Sequence, residues 1–346
     1  MITTGCYLTP LFTDAHILDL PMEDTLSDCN DGHFQDDRSL WKAPFIQCSI
    51  LSRRGISVDD SSNTSGIENG GDNGDGSSVD AQKVFENFLE RHKCEIMSIS
   101  QEEVTPEVLL EGLGCSLEFT KFVAMHDTLM YSQMIEVILT CNLPSSSARF
   151  IDLCAGSSVP TIRALLRNPA YKDLTVVSVD VDADAITISR RNVALAGLQS
   201  RFIIMQSDML AYLDNVSIGE NEILVSNPPY MPIPATAKSD FFLPVDGGAD
   251  GTKYLEQILT KDMPAGSIVG IRWCSLTNPV RLVKLIEDRF DVVDVRAHRA
   301  PFGTYAKMTQ EYLQKQREAG KSVFYQDAAG NKNFVFMSTV LRRKEG

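Results

Sequence analysis

From Arg149 onward the chain alternates short apolar runs with helical segments, and that alternation leaves few folds open to it. Phe150–Leu153, Leu174–Val179, Phe202–Met205, Ile223–Val225, Ser267–Ile271 and Val292–Val295 read as buried strands. Thr161–Leu166, Ala183–Ala196, Lys253–Leu259 and Val280–Asp288 read as the helices between them. Strands separated by helices argue a parallel, doubly wound sheet with helices on both faces. The last run, Asn333–Leu341, follows an excursion over residues 304–332 with no ordinary crossover helix, so an antiparallel return is expected. The expected fold is α/β: a Rossmann-like, mostly parallel seven-stranded sheet with an antiparallel last strand, preceded by a small helical region.

Ahead of that body the pattern weakens. Residues 1–51 carry scattered apolar pieces without a period and read as an N-terminal arm. Residues 52–80 are acidic, rich in Gly, Ser and Asn, free of aromatic residues, and read as a disordered linker. Residues 81–145 turn helical: Val84, Phe85, Phe88 and Leu89 fall at helical spacing, and Thr105 with Pro106 marks a second helix start. Phe122–Leu139 gives a further helical pattern. Residues 146–346 form the main domain. Residues 1–80 account for −10 of the net charge of −14, so the acidity belongs mainly to the leader. The eight cysteines form no C-x-x-C pair, and no metal site is expected. No run approaches the ~18 apolar residues of a membrane helix, and Met1–Asp14 lacks the marks of a signal peptide. A cytoplasmic protein is expected, with no membrane partner.

The ends of the successive strands carry the chemistry. Asp152, Cys154, Ala155 and Gly156 follow the first strand and precede a helix, where a glycine turn lets the backbone approach a ligand. Asp180, with Val181 after it, ends the second strand 24 residues beyond Gly156, where an acid can accept ribose hydroxyl hydrogens. Asp208, between Ser207 and Met209, ends the third strand and could hydrogen-bond an adenine amino group. A helix N-cap would explain any one of these acids alone. Four such features in register are harder to dismiss.

The fourth is Asn227, Pro228, Pro229 and Tyr230, closing the run Glu222–Ser226. The Asn227 side-chain oxygen and the Pro228 carbonyl can each accept one hydrogen of an NH2 group. The prolines fix φ, and the Tyr230 ring offers a flat face. Tyr131, Arg272 and Trp273 are candidates for holding the molecule acted on. Arg296, His298 and Arg299 form a basic cluster after a later strand, and Phe241, Phe242 and Leu243 read as a lid or as core.

Ser226–Pro232, Val245–Gly251, Val179–Ala185 and Arg190–Val193 together resemble the HemK-type family of class I S-adenosylmethionine-dependent methyltransferases, which act on glutamine side-chain amides of release factors. The resemblance covers roughly residues 120–300. It implies S-adenosylmethionine as cofactor, bound by the strand-end residues above together with Asn227. It implies Asn227–Tyr230 as the catalytic turn and N-methylation of a planar amide or amine. The acceptor would be a protein glutamine or a small metabolite. Two departures stand out. Cys154 and Ser158 occupy positions where the family has glycine. The family's proline- and arginine-containing segment matches Leu129–Met134, which has neither residue.

Two other readings share the fold. Adenine amino methyltransferases use a similar turn and flip the base onto the aromatic ring. They need a basic tract for phosphates, for which only Arg296, Arg299, Arg342, Arg343 and Lys344 offer material. A catalytically weak partner subunit is the other reading, and Cys154 and Ser158 are its support.

Overall fold

After a short edge strand, the sheet is built outward from its middle. Its strands are β1 (Ile96–Ser98), β2 (Arg149–Leu153), β3 (Thr175–Asp180), β4 (Phe202–Gln206), β5 (Ile223–Ser226), β6 (Ile268–Cys274), β7 (Phe290–Pro301), β8 (Tyr325–Gln326) and β9 (Lys332–Arg343). The order across the sheet is β4-β3-β2-β5-β6-β9-β7-β1, with β8 paired to β9. From β2 the chain steps outward through β3 and β4, then returns and steps the other way through β5 and β6. The carboxyl ends of β2 and β5 therefore flank the switch point, where an open α/β sheet leaves a crevice for ligand. These observations come from a computed structural model that describes residues 80–345, apart from 99–103, 122–124, 141–148, 172, 221 and 238. The expected arm and nearly all of the linker lie outside the described residues.

The seven expected strands form, and β9 runs antiparallel to both β6 and β7. The sheet is larger than expected by two short strands. β1 adds parallel to β7 at one edge, and β8 hangs on β9. Three and two residues are too few to leave a period in the sequence.

The helices are α1 (Ala81–Arg91), α2 (Pro106–Leu110), α3 (Met125–Thr140), α4 (Val159–Leu166), α5 (Ala183–Leu195), α6 (Met209–Asn215), α7 (Lys253–Thr260), α8 (Pro279–Arg289), α9 (Thr304–Met308) and α10 (Gln310–Glu318). α1 begins at Asp80, whose carboxylate accepts from the amides of Gln82 and Lys83. Its Phe85 and Phe88 meet Trp273 edge-on at 5.9 and 6.0 Å. α2 has Thr105 as its cap and Pro106 in its first turn, as the sequence suggests.

α3 presses on the sheet through Asp127, Tyr131, Met134 and Ile138, one face at helical spacing. The approach is close because β6 carries Gly270 beneath it. A Cβ there would lie 2.7 Å from Ile138 Cδ1 and 2.8 Å from Met134 Cε. The helical region at 81–145 is thus no separate body. Gly74–Gly346 is one compact unit.

Candidate active site

The loop after β2 is bent three times. Cys154, Gly156 and Ser158 all take left-handed backbone, with φ of 56°, 54° and 56°. Glycine adopts this freely; other L-residues do so at a cost. Ser158 gains something in return. Its Oγ lies 2.7 Å from Ser189 Oγ and 3.2 Å from Ser178 Oγ, under the loop. Asp180 holds the loop from the next strand, accepting from Gly156 N at 2.8 Å and from Asp182 N at 2.9 Å. Burial pushes the Asp180 carboxyl above its ordinary value.

A cleft of about 840 Å³ opens over this loop. Cys154, Ala155, Gly156, Asp180, Val181, Ser207, Asp208, Met209 and Asn227 all line it. Asp208 also caps α6, with Oδ1 accepting from Leu210 N and Ala211 N. Asp152 is different. It is fully buried and absent from the lining, with its oxygens taken by Tyr131 Oη and Thr161 Oγ1, each at 2.5 Å. Burial lifts its carboxyl to about 6. Asp152, expected from the sequence to contact cofactor, braces the strand end through these two bonds.

The sequence gives no hint of the strap across this cleft. Phe119, Thr120 and Lys121 line it. The fully buried Asn192 of α5 holds the strap by its backbone, accepting from Glu118 N at 2.7 Å and donating to Glu118 O at 2.8 Å. The same Nδ2 donates to Ser157 O at 2.9 Å, tying strap to loop.

The Asn227–Tyr230 turn leaves β5 beside the loop, where Ser226 Oγ donates to Leu153 O. Asn227 Nδ2 donates to Asp127 Oδ2 at 2.5 Å, and Tyr230 Oη donates to Asp127 Oδ1 at 3.1 Å. The Arg272 guanidinium closes on the same Oδ1 through Nη2 at 2.5 Å and Nε at 3.2 Å, and on Ser338 Oγ at 2.6 Å. Asn227 Oδ1 is buried and has no partner. Loop 245–251 clasps the turn from behind. Met231 N donates to Val245 O, Gly247 N to Met231 O, and Thr277 Oγ1 to Tyr230 O. Glycine is required here: a Cβ on Gly247 would lie 2.7 Å from Tyr230 Cα, and one on Gly251 2.5 Å from Tyr230 O.

A second cavity of about 400 Å³ lies across the turn. Pro228, Tyr230, Tyr305, Phe334 and Phe336 give it mostly apolar walls. Lys121, Asp127, Asn227, Pro229 and Pro244 border both cavities, so the turn is their common wall.

Arg272 and Trp273 line neither cavity, and both are fully buried. Arg272 acts on Asp127, and Trp273 Nε1 donates to Thr339 Oγ1 inside the core. Tyr131 borders the first cleft, but its hydroxyl is spent on Asp152. None of the three is placed to hold an acceptor. The expected basic cluster dissolves as well. Arg296 pairs with Asp294, Arg299 lies over the Tyr325 ring, and His298 is buried, held down to about 3 by burial and the Arg272 charge. Phe242 is core, while Phe241 and Leu243 stay exposed, and of these two only Leu243 lines the first cleft.

Residues 135–239, from α3 through the turn, match the family described as methyltransferase small domain. The chain is 33% identical over 122 residues to a ribosomal protein uL3 glutamine methyltransferase of Bordetella pertussis, covering 34% of this chain and 39% of that one. It is 30% identical over 124 residues to a release factor glutamine methyltransferase of Moorella thermoacetica, covering 34% and 42%. Over these residues the chain resembles the HemK-like class I methyltransferases. The chain spans about two fifths of the length of these relatives. S-adenosylmethionine is the cofactor of such domains, and the cleft fits it. Asp180 stands at the end of β3, and the bare Gly156 backbone meets nothing within 4 Å on its open side.

Proposed function

We propose that the protein transfers a methyl group from S-adenosylmethionine to the planar amide nitrogen of a glutamine side chain in a protein. The observation that carries this is Asn227 Oδ1: buried, without a partner, on the wall between the two cavities. A buried acceptor left open is costly unless a ligand completes it. Bound in the first cleft, the cofactor supplies an electrophilic methyl on a sulfonium. An amide entering the second cavity gives one N–H to Asn227 Oδ1 and one to the Pro228 carbonyl. Those bonds would hold the nitrogen at the wall facing the cofactor cleft and stabilise the positive charge that develops on it. The surplus proton leaves after transfer, and no strong base is required. The apolar walls of the second cavity suit the methylenes of such a side chain. The names of the relatives, both glutamine methyltransferases, favour a protein acceptor over a small metabolite.

The test is transfer of labelled methyl into a host extract fractionated into protein, nucleic acid and small molecules, with wild type beside Asn227→Ala. Label in protein, recovered as N-methylglutamine and reduced on the order of 100-fold in the variant, is the expected result. Label in nucleic acid or small molecules refutes the acceptor class. Label that does not depend on Asn227 refutes the mechanism.

A further inference from the structure

We infer that Asp127 fixes the hydrogen-bonding polarity of the acceptor site and thereby selects a primary amide over a carboxylate. This rests on the amide-methylation reading above. The side chain of Asn227 has two faces, an NH2 that donates and an oxygen that accepts. Which one meets the acceptor depends on what holds the other. Asp127 is a carboxylate with Arg272 donating to its Oδ1 twice, and it has only lone pairs to give. Asn227 must therefore turn its NH2 toward Asp127 Oδ2, and the 2.5 Å contact joins those atoms. The oxygen is left buried and unpaired, on a residue that lines both cavities.

The consequence is a site that offers acceptors alone. A group with two N–H hydrogens satisfies Asn227 Oδ1 and the Pro228 carbonyl together. A carboxylate or a carbonyl sets lone pair against lone pair there, an unpaired arrangement in a desolvated place. A methylated amide keeps one N–H and can satisfy only one of the two acceptors, so the site disfavours a second transfer. Asp127 touches both cavities but acts on the acceptor through Asn227, which makes it a positioning residue. Tyr230, on the other carboxylate oxygen, keeps Asp127 itself from turning.

Asp127→Asn reverses the logic. The new amide can donate to Asn227 Oδ1, freeing Asn227 to present its NH2 to the cavity. The probes are N-acetyl-glutamine methylamide and N-acetyl-glutamate methylamide, nearly isosteric, with affinities for the cofactor-loaded full chain measured by ligand-observed NMR. Wild type is expected to favour the glutamine probe at least tenfold. The ratio is expected to fall at least tenfold in Asp127→Asn, compared with wild type at saturating cofactor. The double variant Asp127→Asn/Arg272→Gln, which leaves no lone buried charge, is expected to show the same change. A wild-type ratio near one, or a ratio unmoved in a folded, cofactor-binding variant, overturns the inference. Should neither variant fold, wild type decides. Its Asn227 side-chain NH2 protons are expected to be protected from solvent exchange, and fast exchange overturns the inference. Methyl transfer that needs Asn227 but shows no polarity change leaves the proposed activity standing and removes only the role of Asp127.

Discussion

Cys154 and Ser158 stand on either side of Gly156 with the same left-handed backbone, φ 56° at each. At ordinary positions alanine is more stabilising than glycine by roughly 0.5–1 kcal/mol. Here the order is expected to reverse. Left-handed backbone costs an L-residue about 1–2 kcal/mol, and glycine is free of it. Cys154→Gly should therefore be more stable than Cys154→Ala, and Ser158→Gly more stable than Ser158→Ala, by about 1 kcal/mol. Urea midpoints of the four variants check this; the ordinary order at both sites would mean that the loop relaxes around a side chain.

Asp152 makes stability depend on pH. Its carboxyl is lifted from 3.8 to about 6, so between those values the folded chain holds a proton that the unfolded chain has released. The stabilisation is fully present below the unfolded value and is lost as pH rises through the folded one, by about 3 kcal/mol. Asp152→Asn should remove that dependence. The difference between wild type and variant, from urea unfolding at about pH 4.5 and about pH 7, is the measurement. A constant difference would mean that Asp152 stays ionised throughout.

Trp273 lies in the core against Phe85 and Phe88 and lines neither cavity. Trp273→Phe is expected to cost about 1–3 kcal/mol of stability through lost packing and the lost bond to Thr339. The KM for acceptor should stay within about twofold of wild type. A large rise in KM in a stable variant would restore Trp273 as a contact.

Gly247→Ala places a Cβ where Tyr230 Cα and Gly251 O already stand, both at 2.7 Å. These are backbone atoms, so the catalytic turn has to move. A misplacement of about 1 Å costs on the order of 100-fold in rate. We expect kcat to fall by that order while cofactor affinity, which we assign to the part of the cleft lined by Asp180 and Gly156, stays near wild type. Equal loss of both would locate the damage in the fold rather than in the turn.

β2, β3 and β5 were legible because both faces are covered, and they read as plain apolar runs. β7 was not. Val292–Val295 is its visible centre, but the strand extends from Phe290 to Pro301, pairing with β9 through a shift between Val292 and Asp294. That irregularity breaks the alternation, and Arg296, His298 and Arg299 then read as a loop. Most of the strand-end residues named from the sequence line the first cleft. Asp152 does not, and a strand-end acid looks the same from the sequence whether it faces a cleft or the core. Asp127 could not be found at all. It is 100 residues from Asn227, and nothing near it shows what the folded chain brings to its carboxylate.

The wall between the two cavities bears on the order of events in turnover. Exposed Asp182 and Asp184 border one chamber, and exposed Gly303 and Thr304 border the other. On the proposed activity, spent cofactor and methylated acceptor would each leave by its own mouth, and neither would have to wait for the other. A chain built this way has no structural need for a compulsory sequence of release.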